Sequence, residues 1–146
     1  MRDEVTYEGV VPISEFERLI DVFLPLLERA GTIGRSTYEP FELWQKIRSG
    51  DFVLWAAMDK ETGTFDSIAV LEWVEFHRAP AISIVVTAAL DDKKARDWDH
   101  LLGGVSKWAK LFGARRIVFE GRSGWWRKLK TLKPQARKWS LYELEL

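Results

Sequence analysis

Three glutamates in strand-like stretches, Glu72, Glu75 and Glu120, are carboxylates able to take a proton from an amine. The competing reading of each is a solvated or ion-paired strand residue, and it is the commoner one. The two histidines, His77 and His100, are the other groups that titrate near neutrality. His77 closes a strand-like run ahead of "RAP". His100 falls opposite an apolar helical stripe and is expected to be exposed. Neither has a partner at metal-ligand spacing, so no metal site is expected. The absence of Cys rules out disulfides, thiol nucleophiles and zinc–thiolate sites, and suits a reducing compartment. No G-x-S-x-G and no P-loop lysine motif occurs.

The other stretch able to do chemistry is "EGRSGWWRKLKTLKPQARKW", residues 120–139. Net charge is zero over the whole chain, but it is unevenly spread. Residues 1–102 carry 11 basic and 19 acidic groups, whereas residues 103–140 carry 11 basic and one acidic. Such a segment is either an ordinary basic face or a surface that meets an anion: a nucleotide, DNA or an acidic protein. Trp125 and Trp126 are adjacent, so a helix cannot bury both on one face. A Trp left exposed beside Arg127, Lys128 and Lys130 would anchor a protein partner or stack a nucleic-acid base. Alternatively, it lies at a sheet edge under the stems of the basic residues. Arg122, Trp125, Trp126, Arg127 and Lys128 are therefore the candidate contact surface.

An alternation of strands and helices must position these groups. A chain of 146 residues, 47% apolar and 30% charged, is expected to fold as one globular domain over residues 1–146. No apolar run approaches the ~20 residues that span a bilayer, and "MRDEVTYEGV" lacks the apolar core of a signal peptide. "EVTYEGVVP" reads as a strand ended by Pro12. "ISEFERLIDVFLPLLERAG" reads as one helix, with Ser14 and Glu17 as a capping box, a stripe of Phe16, Leu19, Ile20, Phe23 and Leu27, and Pro25 kinking it or breaking its last turn. A shorter helix follows in "YEPFELWQKIRSGD", with Phe41, Trp44 and Ile47 on one stripe and Gly50 closing it. "DFVLWAAMD", "FDSIAVLEWVEFH" and "AISIVVTAAL" read as strands, the last apolar enough to be covered on both faces.

"RDWDHLLGGVSKWAKLFGA" is the clearest helix, with Trp98, Leu101, Leu102, Val105, Trp108, Ala109 and Phe112 on its apolar stripe. Gly103 and Gly104 inside it suggest close helix–sheet packing, because each costs roughly 1 kcal/mol of helix propensity. "RRIVFEG" is a strand, "GWWRKLKTL" a short helix and "RKWSLYELEL" a last strand. The order is β-α-α-β-β-β-α-β-α-β, an α/β (α+β) chain with a mixed, mostly antiparallel sheet flanked by four helices.

This order resembles that of the GNAT N-acetyltransferases across essentially the whole chain, in "FELWQKIRSGDFVLWAAMD", "AISIVVTAAL" and "WAKLFGARRIVFEG" above all. The resemblance implies a splayed fourth strand near Val85, Val86 and Thr87, which holds the pantetheine arm of acetyl-CoA. It also implies a Gly-rich loop behind that strand for the pyrophosphate. Here that loop reads "LDDKKARDWDHLL", with no Gly before Gly103; Lys93, Lys94 and Arg96 are the cations it offers. The family's tyrosine acid has no counterpart in "GWWRKLK". "EGRSGWWRKL" and "ARKWSLYELEL" are also similar to segments of small GNAT-like proteins of tailed bacteriophages, some of them internal virion or head-assembly proteins. Together these imply a non-catalytic protein of the virion or host cytoplasm, without a cofactor, whose partners are other phage structural proteins. The alternative is an acetyl-CoA-dependent N-acetyltransferase in which Val85, Val86, Thr87 and Arg96 bind the cofactor through a non-standard loop. Plain DNA binding rests on charge alone.

Overall fold

The computed structural model describes residues 5–33, 38–59, 61–90 and 98–119. Alternation and β-branched residues make Val5–Val11 the first strand, β1. Pro12, unable to donate to a ladder, ends it and serves as N-cap of α1, Ile13–Arg18. The single helix expected here is in fact two. Leu19, at φ −107° and ψ 27°, separates α1 from α2, Ile20–Ile33. Pro25 and Gly31 both lie inside α2. Ser14 is not the cap: Pro12 holds the capping position, and Ser14 is the second residue of the helix that follows. The expected stripe survives the break in the buried Phe16, Phe23 and Leu27, which Leu26 and Ala30 join.

Helix α3, Pro40–Ser49, has a capping box between Glu39 and Glu42 and ends at Gly50, whose φ of 87° is left-handed. Its buried residues are Leu43 and Ile47, one i,i+4 pair. Phe41 and Trp44 of the expected stripe instead stack on each other, with Phe41 exposed. Strands β2, Val53–Asp59, β3, Phe65–Phe76, and β4, Ala79–Ala89, follow as an antiparallel meander. The β3–β4 turn is the dipeptide His77–Arg78, both at positive φ, 51° and 63°. Helix α4, Trp98–Leu111, closes at Gly113 and leads into β5, Arg116–Phe119.

The sheet order is β1-β2-β3-β4-β5, antiparallel except for the β4–β5 pair, which is parallel as a helical crossover requires. This is the mixed, mostly antiparallel sheet flanked by helices that was read from the sequence; the described helices number four because the first expected one is split in two. Helices α1–α3 cover one face, over Leu54, Ala56, Ile68, Val70 and Val86. Helix α4 covers the other, over Trp55, Ala69, Leu71, Ile82 and Ile84. Of the two α4 glycines, only Gly104 is pressed on the sheet: a Cβ there would lie 3.0 Å from both Glu8 Oε1 and Trp55 Cζ2, whereas one at Gly103 would meet nothing within 4 Å. No helix among the described residues is long and apolar enough to cross a membrane. The expected helix "GWWRKLKTL" and last strand lie outside the described residues.

Candidate active site

The parallel β4–β5 ladder pairs Ala81 with Arg116, Ile82 with Ile117, Ser83 with Val118 and Ile84 with Phe119. Strand β4 continues for five residues beyond, Val85–Ala89. The last described β4–β5 pair lies beside a bulge. On the other side of β4, Val70 faces Val86 while its neighbour Leu71 faces Ile84, so Val85 is the extra residue. A bulge bends its strand and sharpens its twist. On the β5 side, Val85–Ala89 has no ladder partner among the described residues.

An open strand edge of this kind presents alternating N–H and C=O groups, and its natural complement is an extended chain carrying amides. Val86 is buried, while Val85 and Thr87 are half-buried. Val85, Val86 and Ala88 pack toward the α1–α3 core; Thr87 pairs with Ala69, which belongs to the α4 side. The three residues expected from the resemblance thus sit together at the bulge.

A second polar cluster lies under α4. Glu8 of β1, whose side chain is only 10% exposed, accepts a hydrogen bond from Trp55 Nε1 at 3.2 Å and one from His100 Nε2 at 2.5 Å. His100 is surface-accessible as expected, at 41%, but it is not idle: it ties the first turn of α4 to the sheet. Trp55 also packs on Trp108, which contacts Trp73 and Phe112 in turn. Reading the sequence singled out neither Glu8 nor its link to His100. The available signal was a Glu inside an apolar alternating run together with a glycine pair in the helix, and neither feature names its partner.

The remaining candidates separate. Glu72 is half-buried on β3 opposite Ser83 of β4. Glu75 is exposed, opposite Pro80. His77 is exposed in the β3–β4 turn, its ring edge-on to Phe76. Arg96, Glu120 and the whole candidate contact surface of Arg122, Trp125, Trp126, Arg127 and Lys128 lie outside the described residues.

No protein-family model matches the chain, and no curated protein matches it in sequence. Solved structures do. A ribosomal-protein-alanine N-acetyltransferase from Brucella melitensis superposes with a TM-score of 0.70 at 14% identity, over 97% of this chain and 100% of that one. A GNAT family acetyltransferase from Staphylococcus aureus gives 0.65 at 11% identity, over 98% and 99%. An aminoglycoside acetyltransferase from an uncultured soil sample, in complex with sisomicin, gives 0.68 at 11% identity, over 96% and 95%. The chain has the GNAT acetyltransferase fold. At these identities the likeness is one of fold, spread along the full length.

The GNAT fold, with neighbours that carry acetyltransferase names, overturns the expectation of a non-catalytic phage particle protein without a cofactor and favours the acetyl-CoA-dependent alternative. That expectation rested on the Gly-free loop, the missing tyrosine acid and the likeness of the closing segment to phage proteins. A Gly turn is one way to bring amides close to a pyrophosphate, but most of a long cofactor arm is held elsewhere. On the β5 side, the strand edge Val85–Ala89 carries no ladder partner among the described residues.

Proposed function

We propose that the protein is an N-acetyltransferase that uses acetyl-CoA. The observation that carries the reading is the bulge: β4 takes Val85 as an extra residue against β3, and past Ile84 its other edge has no ladder partner among the described residues. A pantetheine arm contains two amides in an extended chain, so it can take the place of a missing strand and pair with the β4 edge at Val85, Val86 and Thr87. Acetyl-CoA supplies an activated acyl thioester. The chain would supply the strand edge that fixes the arm, and Arg96 with Lys93 and Lys94 as charge for the phosphates.

The test is binding by thermal unfolding. Ligand that binds only the folded state stabilises it by about 2.7 kcal/mol at one hundred times its Kd. At roughly 2–4 °C per kcal/mol for a chain of this length, millimolar acetyl-CoA should raise the melting temperature by several degrees. Pantetheine without the nucleotide should give a smaller rise in the same direction. No rise with acetyl-CoA would refute the reading.

A further inference from the structure

Strand β3 outruns β2. The first residue of β2, Val53, pairs with Leu71, and β3 continues for five residues, Glu72–Phe76, paired on its β4 side. The residues before Val53 are described and lead elsewhere: Gly50 ends α3, and the Phe52 amide donates to the Lys46 carbonyl at 2.9 Å. The β3–β4 hairpin therefore projects past β2 with one edge bare among the described residues. The turn decides which groups that edge offers. His77–Arg78 is a two-residue loop, so Phe76 and Ala79 close it as a hydrogen-bonded pair, and bonded pairs recur at every second residue, Val74 with Ala81 and Glu72 with Ser83. Pro80, which has no N–H, sits opposite Glu75 in a non-bonded pair, as this phase requires. Trp73 and Glu75 thus direct their N–H and C=O groups outward, and no described residue receives them.

An aromatic face adjoins the bare edge. Trp73, 40% exposed, pairs with Ile82 of the α4 core and touches Trp108, which touches Phe112. Phe112 is 64% exposed and Leu111 82%. Trp108 also packs on Trp55 of β2, so this row lies on the β2 side of α4, away from β5. Together Trp73, Leu111 and Phe112 leave roughly 350 Å² of apolar side chain in water, a patch of the size that marks a contact site. Exposed edges are ordinarily blunted by Lys, Pro or a bulge, and Glu72–Phe76 contains none of these.

We propose that this edge pairs with the same edge of a second copy of the chain, joining two sheets into one. Identical strands related by a two-fold axis run antiparallel, and one self-paired residue sets their register. With Val74 on the axis, all five residues overlap. Trp73 of each copy then exchanges both hydrogen bonds with Glu75 of the other, which satisfies every outward group of the edge. Glu72 falls opposite Phe76 of the other copy, so no carboxylate faces another. An axis at Glu75 would shorten the overlap and oppose two carboxylates, which is destabilising. On the α4 side, Trp73, Leu111 and Phe112 of both copies cover the junction. Two such patches supply about half of the ~1,200–2,000 Å² that a stable interface buries, and the paired strands supply the rest.

The chain has no Cys, so a single introduced one reports on the register. Val74→Cys sets two thiols across a non-bonded pair, where Cα atoms lie about 4.5 Å apart and a disulfide can close. Glu61→Cys, exposed in the β2–β3 turn, is the control. The expected results are a parent of twice the single-chain mass in sedimentation equilibrium at micromolar concentrations, a covalent dimer from Val74→Cys on mild oxidation, and none from Glu61→Cys. Trp73→Glu, which sets an acid opposite Glu75 of the second copy, and Phe112→Glu should each raise the dimer dissociation constant by about tenfold or more while keeping the circular dichroism of the parent. A monomeric parent would overturn the proposal, and a monomer that sediments with phosphatidylserine vesicles would give the aromatic face to an anionic lipid surface. A dimer left intact by both glutamate variants, or one in which Val74→Cys cross-links no better than Glu61→Cys, would put the interface elsewhere and overturn it equally. Should Trp73→Glu fail to fold, Phe112→Glu and the cysteine pair decide.

Discussion

Replacing Gly104 by Ala should destabilise the protein, although replacing Gly103 by Ala, one position earlier in the same helix, should stabilise it. Both substitutions gain about 1 kcal/mol of helix propensity. At Gly103 nothing lies within 4 Å of the added methyl, so the gain is kept. At Gly104 the methyl would sit 3.0 Å from a carboxylate oxygen and 3.0 Å from a ring carbon. Both contacts are tighter than ordinary van der Waals contact, so each neighbour must give by a few tenths of an ångström. Trp55 is 4% exposed and backed by Trp108; Glu8 is held by two hydrogen bonds. Forced shifts in packed surroundings cost about 1–3 kcal/mol, which cancels or exceeds the propensity gain. The two variants should therefore differ by about 1–3 kcal/mol, or roughly 2–12 °C in melting temperature at about 2–4 °C per kcal/mol. Reversible thermal or urea unfolding followed by tryptophan fluorescence measures this directly. Equal stabilisation by both substitutions would refute the close seating of α4 on β1 and β2.

Two further outcomes are expected. Arg78 holds φ at 63° in the two-residue β3–β4 turn, a region that costs an L-residue about 1–2 kcal/mol; Arg78→Gly should raise the melting temperature by a few degrees and Arg78→Val should lower it, and a loss with Gly would show that the Arg78 side chain matters more than its backbone. Glu15 is held below the usual carboxylate range by its hydrogen bond with Arg18 and the guanidinium charge behind it, with Nη2 2.6 Å from Oε2. A depressed carboxylate contributes stability above its unfolded pKa and loses it as pH falls through the folded one. The parent should therefore exceed Arg18→Ala in stability by a small, salt-sensitive margin near neutrality that shrinks in acid; a margin that grows on acidification would contradict the pairing.

Periodicity made most of the fold legible, because burial on one face leaves a repeating trace. The strands β1 to β5, the helices and the order between them follow from it. The misplacements have local causes. Pro25 was expected to kink its helix or break its last turn, but a proline deprives only one carbonyl of its donor; it lies inside α2, and the break fell at Leu19. In α3 the triplet Phe41, Trp44 and Ile47 and the pair Leu43 and Ile47 are both compatible with a 3.6-residue turn, and the capping box at Glu39 sets the phase. The site was less legible. Val85, Val86 and Thr87 came from resemblance, since a bulge without Gly leaves no mark in an unbroken apolar run. The Glu8–His100 contact spans ninety-two positions and needs the α4 crossing to exist.

Glu8 stands on β1 in a position an apolar residue could fill, and a carboxylate there would cost free energy if left alone. The cost is offset locally: Trp55 and His100 donate to it, and Gly104 leaves room for it. Such a cluster fixes a helix on a sheet and needs no ligand to explain it.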